Sequence, residues 1–282
     1  MTVFPDHNAF QAVYPAQPGL VRHTLSDHPF FTLDALAALA GRMREQDVEY
    51  NRGNLPIGID FADVPGNGLA IGDTIRGIEE NRSWMVLKYV DQDPAYCALL
   101  ASTLAELDAP IRAKTGPTLK QEAFIFISSP DSVTPLHFDP EHNILLQLRG
   151  AKSMTVFPAD DEEIAPPEAH ERLHSGKGHR NLPWDARYAS RGKRFDLQAG
   201  DGIHVPLMAP HWVRNGPFVS ISFSVTWRSA HSYAEAEARA LNAVLRRRGL
   251  SPASPKPFPA RNLIKSTAYR AIRKTGSLIG RN

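Results

Sequence analysis

In the stretch TPLHFDPEHN, His137 and Asp139 stand two residues apart. On an extended strand that spacing sends both side chains to one face, where an imidazole nitrogen and a carboxylate oxygen can grip a single ion. A third donor has to come from a distant segment. His211 in GDGIHVPLMAPHWV is the best placed, because a Gly-Asp turn, a strand and a Pro precede it. Two histidines and one carboxylate on one face of a metal suit non-haem iron(II) and leave three coordination positions open. Iron is therefore the expected metal. Taken alone, the H-x-D pair also fits a surface His beside an Asp, and His211 also fits a core residue bonded to backbone, so the surrounding residues have to decide.

Other histidines compete for the role. His142 lies close to the pair and His204 is on the strand leading to His211. A fourth protein ligand would suit a structural ion and close the positions that reaction needs, so both are expected to pack or to support. His170, His174 and His179 fall in a charged stretch and are expected to be solvated or part of a lid. The single cysteine, Cys97, excludes an internal disulfide and a thiolate cluster within one chain, which leaves nitrogen and oxygen ligands. No P-loop, dinucleotide glycine motif or nucleophile elbow occurs.

The elements that must position these residues change in texture along the chain. From about Lys120, short β-branched and aromatic runs stand between turn residues: EAFIFIS, NILLQLRG, KSMTVFP, KRFDLQ, GIHVP and FVSISFSVTW. Many short strands without intervening helices predict a barrel or sandwich. One polar, charged interruption, Ala159 to Gly192, is expected to be a lid or binding loop. Upstream, helices are predicted over Thr32 to Arg44, with Thr32 as cap, and over Asp93 to Leu107, while Asn51 to Asp73 reads as irregular. Downstream, Ala234, Ala238, Leu241, Val244 and Leu245 form a helical stripe that Gly249 and SPASPKPFP end. The expected organisation is a helical N-terminal region packing on the core (1–115), a β core (116–229) with an insertion (159–192), and a C-terminal helix with a basic tail (230–282).

The stretch HFDPEHNILLQLRGAKSMTVFP resembles the iron- and cosubstrate-binding core of the Jumonji C hydroxylases and their bacterial cupin-like relatives, the group that includes the asparaginyl hydroxylase inhibiting hypoxia-inducible factor. In that family the H-x-D pair is followed by an Asn, a strand, a Gly turn and a Lys that holds the distal carboxylate of 2-oxoglutarate. Asn143, Gly150 and Lys152 stand in that order here. A Thr three residues before the first His contacts the same carboxylate in the family, and Thr134 occupies that place. The G-D-x-x-x-x-P segment before the last ligand is matched by Gly200, Asp201 and Pro206. The likeness runs from about Phe124 to Trp227. It implies a mainly β fold with flanking helices around a double-stranded β-helix, a jelly-roll of the cupin type. It also implies metal ligands His137, Asp139 and His211, cosubstrate contacts Lys152, Thr134 and Asn143, and an Fe(II)- and 2-oxoglutarate-dependent dioxygenase that hydroxylates or demethylates. Two departures stand out. Pro210 replaces the usual aromatic residue before the last His, and the polar cosubstrate contact on the last strand can be Ser224 or Thr226.

Lys152 also admits a plainer reading as a surface residue after a hairpin, and Asn143 as a capping or turn residue. A buried Lys152 would need an anion beside it, which the cosubstrate carboxylate would supply. The 282 residues are 42% hydrophobic, enough for a sizeable core, and the net charge is only +2. Yet Glu237 is the last acid, and Arg246, Arg247, Arg248, Arg270 and Arg273 follow it. With no helix-turn-helix, zinc finger or aromatic RNA-binding motif, nucleic acid is not the expected partner, and a solvated helix and tail are. No apolar run is long enough to span a bilayer and the opening MTVFPDHNAF lacks the features of a secretory signal, so a cytoplasmic location is expected. The substrate is expected to be a protein side chain or a small molecule, and the C-terminal helix offers a surface for a homodimer. Two alternatives remain. One is a cupin-like metalloprotein that does not use 2-oxoglutarate and would not need Lys152. The other is a non-enzymatic regulator or nucleic-acid-binding protein that kept the fold.

Overall fold

The computed structural model describes residues 2–60 and 63–279. All strand pairs are antiparallel and fall into two sheets. The smaller contains β5 (Val133–His137), β10 (His211–Asn215), β7 (Lys152–Val156) and β8 (Lys193–Leu197), in that order. The larger contains, from edge to edge, β1 (Gly19–Arg22), β9 (Asp201–Val205), β6 (His142–Arg149), β11 (Ser220–Arg228), β4 (Leu119–Ser128), β3 (Ser83–Lys88) and β2 (Val48–Arg52). The eight strands from β4 to β11 divide equally between the sheets and wind as the double-stranded β-helix.

Alternation along the strands builds two cores. One face of the large sheet carries Ile125, Ile127, Ile144, Leu146, Phe223, Val225 and Trp227, all essentially inaccessible. It packs on Phe10 of α1 (His7–Val13), on Leu36 and Leu39 of α2 (Leu33–Ala40), and on Leu100 and Leu104 of α4 (Pro94–Ala105). The other face turns Leu145, Ile203 and Val205 toward Met154, Val156 and Val213 of the small sheet. Burying each such side chain stabilises by about 1.5–3 kcal/mol, so the period-two pattern locks the register.

The predicted helices start where their caps place them, with Thr32 accepting from the Ala35 N–H and Asp93 from the Ala95 N–H. The first stops at Ala40 rather than Arg44, because Gly41 ends it. The N-terminal region is not purely helical. It supplies β1, β2 and β3, which widen the large sheet at both edges, as well as α3 (Ile71–Arg76) and α5 (Asp108–Thr115). The insertion is more ordered than a loop: it holds α6 (Pro167–His174), and its Ile164, Leu182 and Tyr188 form a small core with Leu136 and Phe138. The C-terminal helix α7 (Ala230–Arg246) packs on both α6 and α8 (Leu263–Ile279). Among the described residues no helix is long and apolar enough to cross a membrane.

Candidate metal centre

His137 closes β5 and His211 opens β10, and the two are directly opposed in the register. Their rings lie 4.2 Å apart, centroid to centroid. Asp139 is not on the strand as its spacing predicts, because β5 ends at His137. The intervening Phe138 drops into the insertion's core, the Phe138 N–H donates to the Arg180 carbonyl, and the Met208 N–H donates to that of Asp139. The carboxylate nevertheless returns to the same point: a ligand atom from each of His137, Asp139 and His211 lies within 4.8 Å of the others.

The two imidazoles are prepared alike. Nδ1 of His137 is 2.7 Å from the Pro135 carbonyl and Nδ1 of His211 is 3.0 Å from the Ala209 carbonyl. A carbonyl only accepts, so both Nδ1 atoms carry a proton and Nε2 is the ring nitrogen that each histidine turns toward the shared point. Burial and the neighbouring His211 push His137 down to about 4, which keeps it neutral. Burial works against ionising Asp139, but Arg180 and then the two histidines outweigh it and hold the carboxyl at about 2. Two imidazole nitrogens and one carboxylate oxygen are a donor set for a divalent ion such as iron(II).

Lys152 begins β7, four residues before the Val156 that faces His211, and shares its inward face. Only 6% of it is exposed. It has no hydrogen-bond or ion-pair partner among the described residues, and burial alone lowers its ammonium to about 7. Gly150 makes its position possible: φ is +70°, and a Cβ there would collide with the Val219 carbonyl. Asn215, opposite Lys152, keeps a buried Oδ1 without a partner. Buried polar groups left open in this way mark space for a polar ligand. Thr134 lies opposite Val213 and accepts from the Trp84 indole at 3.1 Å. Asn143 makes a long 3.5 Å contact to Asp139 and accepts from Ser224 at 2.9 Å, whereas Thr226 donates to the Glu122 carbonyl. Of the two last-strand candidates, Ser224 is thus the one tied to the centre.

The remaining histidines separate cleanly. His142 and His204 face the helices, packed with Tyr14, away from the His137–Asp139–His211 cluster. His142 also stacks on Trp227 and bonds Ser229, and His204 bonds the Gln17 carbonyl. His170 corrects the solvated reading: only 2% of it is exposed, and its ring packs 4.4 Å from that of Phe138. The residue that the sequence did not single out is Arg180. The insertion returns to β5 through a bridge between His137 and Asn181 and a bond from the Leu182 N–H to the Leu136 carbonyl. That places the Arg180 guanidinium 2.7 Å from Asp139 and 3.5 Å from Glu141.

A family profile of the cupin-like domain matches residues 13–233. The chain is 28% identical over 140 residues to Jumonji C domain-containing protein 5 of Drosophila melanogaster. That stretch covers 46% of this chain and 31% of the relative, so the chain matches about a third of the relative's length. Two structures of Escherichia coli YcfD, one titled a ribosomal oxygenase, have TM-scores of 0.57 and 0.52 at 16% and 17% identity. Each match covers 99% of this chain, with 69% and 68% of the neighbours. At that identity the likeness is one of fold. Because the profile takes in all eight strands of the double-stranded β-helix, the metal-ligand cluster included, the chain belongs to the cupin-like domain family.

Proposed function

We propose that this protein is an Fe(II)- and 2-oxoglutarate-dependent dioxygenase acting as a hydroxylase. The observation that carries the reading is Lys152, a buried ammonium without a counter-charge, on the inward face of the barrel that also bears the His211 end of the metal cluster. Such a group persists in a fold when an anionic ligand completes it. A metalloprotein without 2-oxoglutarate would have no need of it. His137, Asp139 and His211 would hold the metal, and Lys152 with Thr134 would bind the far carboxylate of the keto acid. Asn143, braced by Ser224, would steady Asp139. The bound iron would supply the chemistry by which dioxygen, the oxidant, gives one oxygen atom to 2-oxoglutarate, yielding succinate and carbon dioxide, and the other to a substrate carbon as hydroxyl. The chain's own part is placement: two imidazoles aimed at one point, an ionised carboxylate, and a buried lysine on the same inward face to meet the cosubstrate.

The relative carries a Jumonji C domain by name and the structural neighbour is a ribosomal oxygenase by title, which supports a protein side chain as the target. The test is an anaerobic titration of the full chain with iron(II) and then 2-oxoglutarate. A visible charge-transfer band should form at one equivalent, and admitting air should release succinate. Intact, folded protein that gives no band would defeat the reading.

A further inference from the structure

Beside the metal cluster, a groove of about 330 Å³ is bordered by Glu141, which follows Asp139 by two residues. Lys120, His174, Arg228, Glu237 and Arg273 also line it. Arg228 is only 7% exposed, and its Nε is buried without a hydrogen-bond partner. A guanidinium N–H can only donate, so that atom requires an acceptor. The rest of the group is placed by three contacts: Nη2 donates to the Ser232 carbonyl at 3.3 Å, Nη1 lies 3.7 Å from Glu141, and Cζ sits 4.7 Å from the centre of the Tyr233 ring, a face that leaves the in-plane Nε–H without an acceptor. Nε2 of His174 is also buried without a partner. Arg273 is exposed and has no ion pair or hydrogen bond among the described residues.

The acids of the lining are already engaged. Arg180 and Arg228 share Glu141, while Arg270 and Ser266 hold Glu237, each at 2.7 Å. Lys120 is 3.1 Å from Glu122. Burial, then Arg239, Arg228 and Arg180, drive the His174 imidazole down to about 3, which reports a positive wall. With their partners counted, Lys120, Arg180, Arg228, Arg270 and Arg273 stand against Glu122, Asp139, Glu141 and Glu237, five positive charges to four negative, and the one surplus positive charge matches a monoanion. A polyphosphate backbone would call for a longer run of cations.

We infer that this groove receives a side-chain carboxylate of an acidic peptide segment in the substrate, an inference that rests on the oxygenase reading above. A carboxylate offers a guanidinium two acceptor oxygens. Two side chains, Glu141 and then Arg180, link the docked segment to Asp139. Recognition of the acidic residue would thereby carry a neighbouring side chain toward the metal.

The test follows the His174 ring signals by NMR, assigned with His174→Gln, in the full chain loaded with diamagnetic zinc(II) and saturating 2-oxoglutarate. The probes are N-acetylglutamate N-methylamide, its glutamine counterpart, and inorganic phosphate. The glutamate probe should shift the signals saturably and the glutamine probe should not. Lys120→Gln combined with Arg273→Gln, both at exposed positions, should weaken the binding at least tenfold. No saturable shift, an equal response to glutamine, or binding unchanged in the double variant would overturn the inference. Tighter binding of phosphate than of glutamate would overturn it in favour of a phosphate-bearing ligand. Because the readout does not involve iron, a missing charge-transfer band together with a His174 response would reject the oxygenase and leave the groove, and the reverse pattern would do the opposite.

Discussion

The Arg180 guanidinium lies 2.7 Å from Oδ1 of Asp139, across 41 residues of sequence, and in this way a segment outside the barrel holds a residue of the metal cluster. The contact fixes one carboxylate oxygen and leaves Oδ2, 3.7 Å from Nε2 of His211, facing the cluster. Arg180→Ala should therefore weaken iron(II) or cobalt(II) binding by roughly 10–100-fold, the usual effect of removing a group that orients a ligand. Arg180 is also the main cation beside two largely buried carboxylates, Asp139 and Glu141, so the metal-free variant should melt at a lower temperature. Competition titration against a metal-binding dye measures the first effect and thermal melting the second.

Lys152 predicts opposite effects on stability and on binding. Its ammonium is lowered from an ordinary 10.5 to about 7, so as pH falls from 10.5 the unfolded chain takes up the proton first. The ligand-free protein should lose stability down to about pH 7 through this group and gain no further loss from it below. Lys152→Met removes that cost and should stabilise the ligand-free protein at pH 7 by about 1–4 kcal/mol. Affinity for 2-oxoglutarate should fall on the order of 100-fold. Chemical denaturation and calorimetric titration on the same samples check both signs, and a destabilised variant would contradict the account.

Ser224 and Thr226 should behave differently although both are on β11. Ser224→Ala leaves the Oδ1 atom of Asn143 without its donor and should cost about 1–2 kcal/mol, with a several-fold loss of metal affinity. Thr226→Ala removes only a bond to the Glu122 carbonyl, and the metal titration should not change.

Gly150→Ala tests the turn that aims Lys152. The left-handed φ and the approach of the Val219 carbonyl leave no room for a methyl group, so the variant should lose about 2 kcal/mol or more. If it melts like the wild type, the turn is less constrained than its geometry states.

Much of this architecture could be read in advance, for identifiable reasons. β4, β6, β7 and β11 announce themselves through dense β-branched and aromatic runs, and α2 through the capping chemistry of Thr32. The H-x-D spacing singles out His137 and Asp139, and the Gly-Asp turn, strand and Pro before it single out His211, whereas Lys152 is reached only through the family resemblance. β1 and β2 escape because four or five residues of mixed polarity take their pairing from the sheet edge and not from local propensity. Arg180 escapes for a different reason. It stands in a charged stretch beside Arg172, Arg187 and Arg191, and only the return of the insertion to β5 distinguishes it. The burial of His170 was hidden likewise, since HERLH reads as a wet helix until Phe138 is laid against it.

The bridge between Asn181 and His137 has a practical consequence for anyone wishing to retarget this protein. Replacing residues 159–192 wholesale with another sequence would remove Arg180 and the seam against β5, and so disturb the His137–Asp139–His211 cluster. A graft that preserves positions 180–182 would let the rest of the insertion be varied while that cluster keeps its shape.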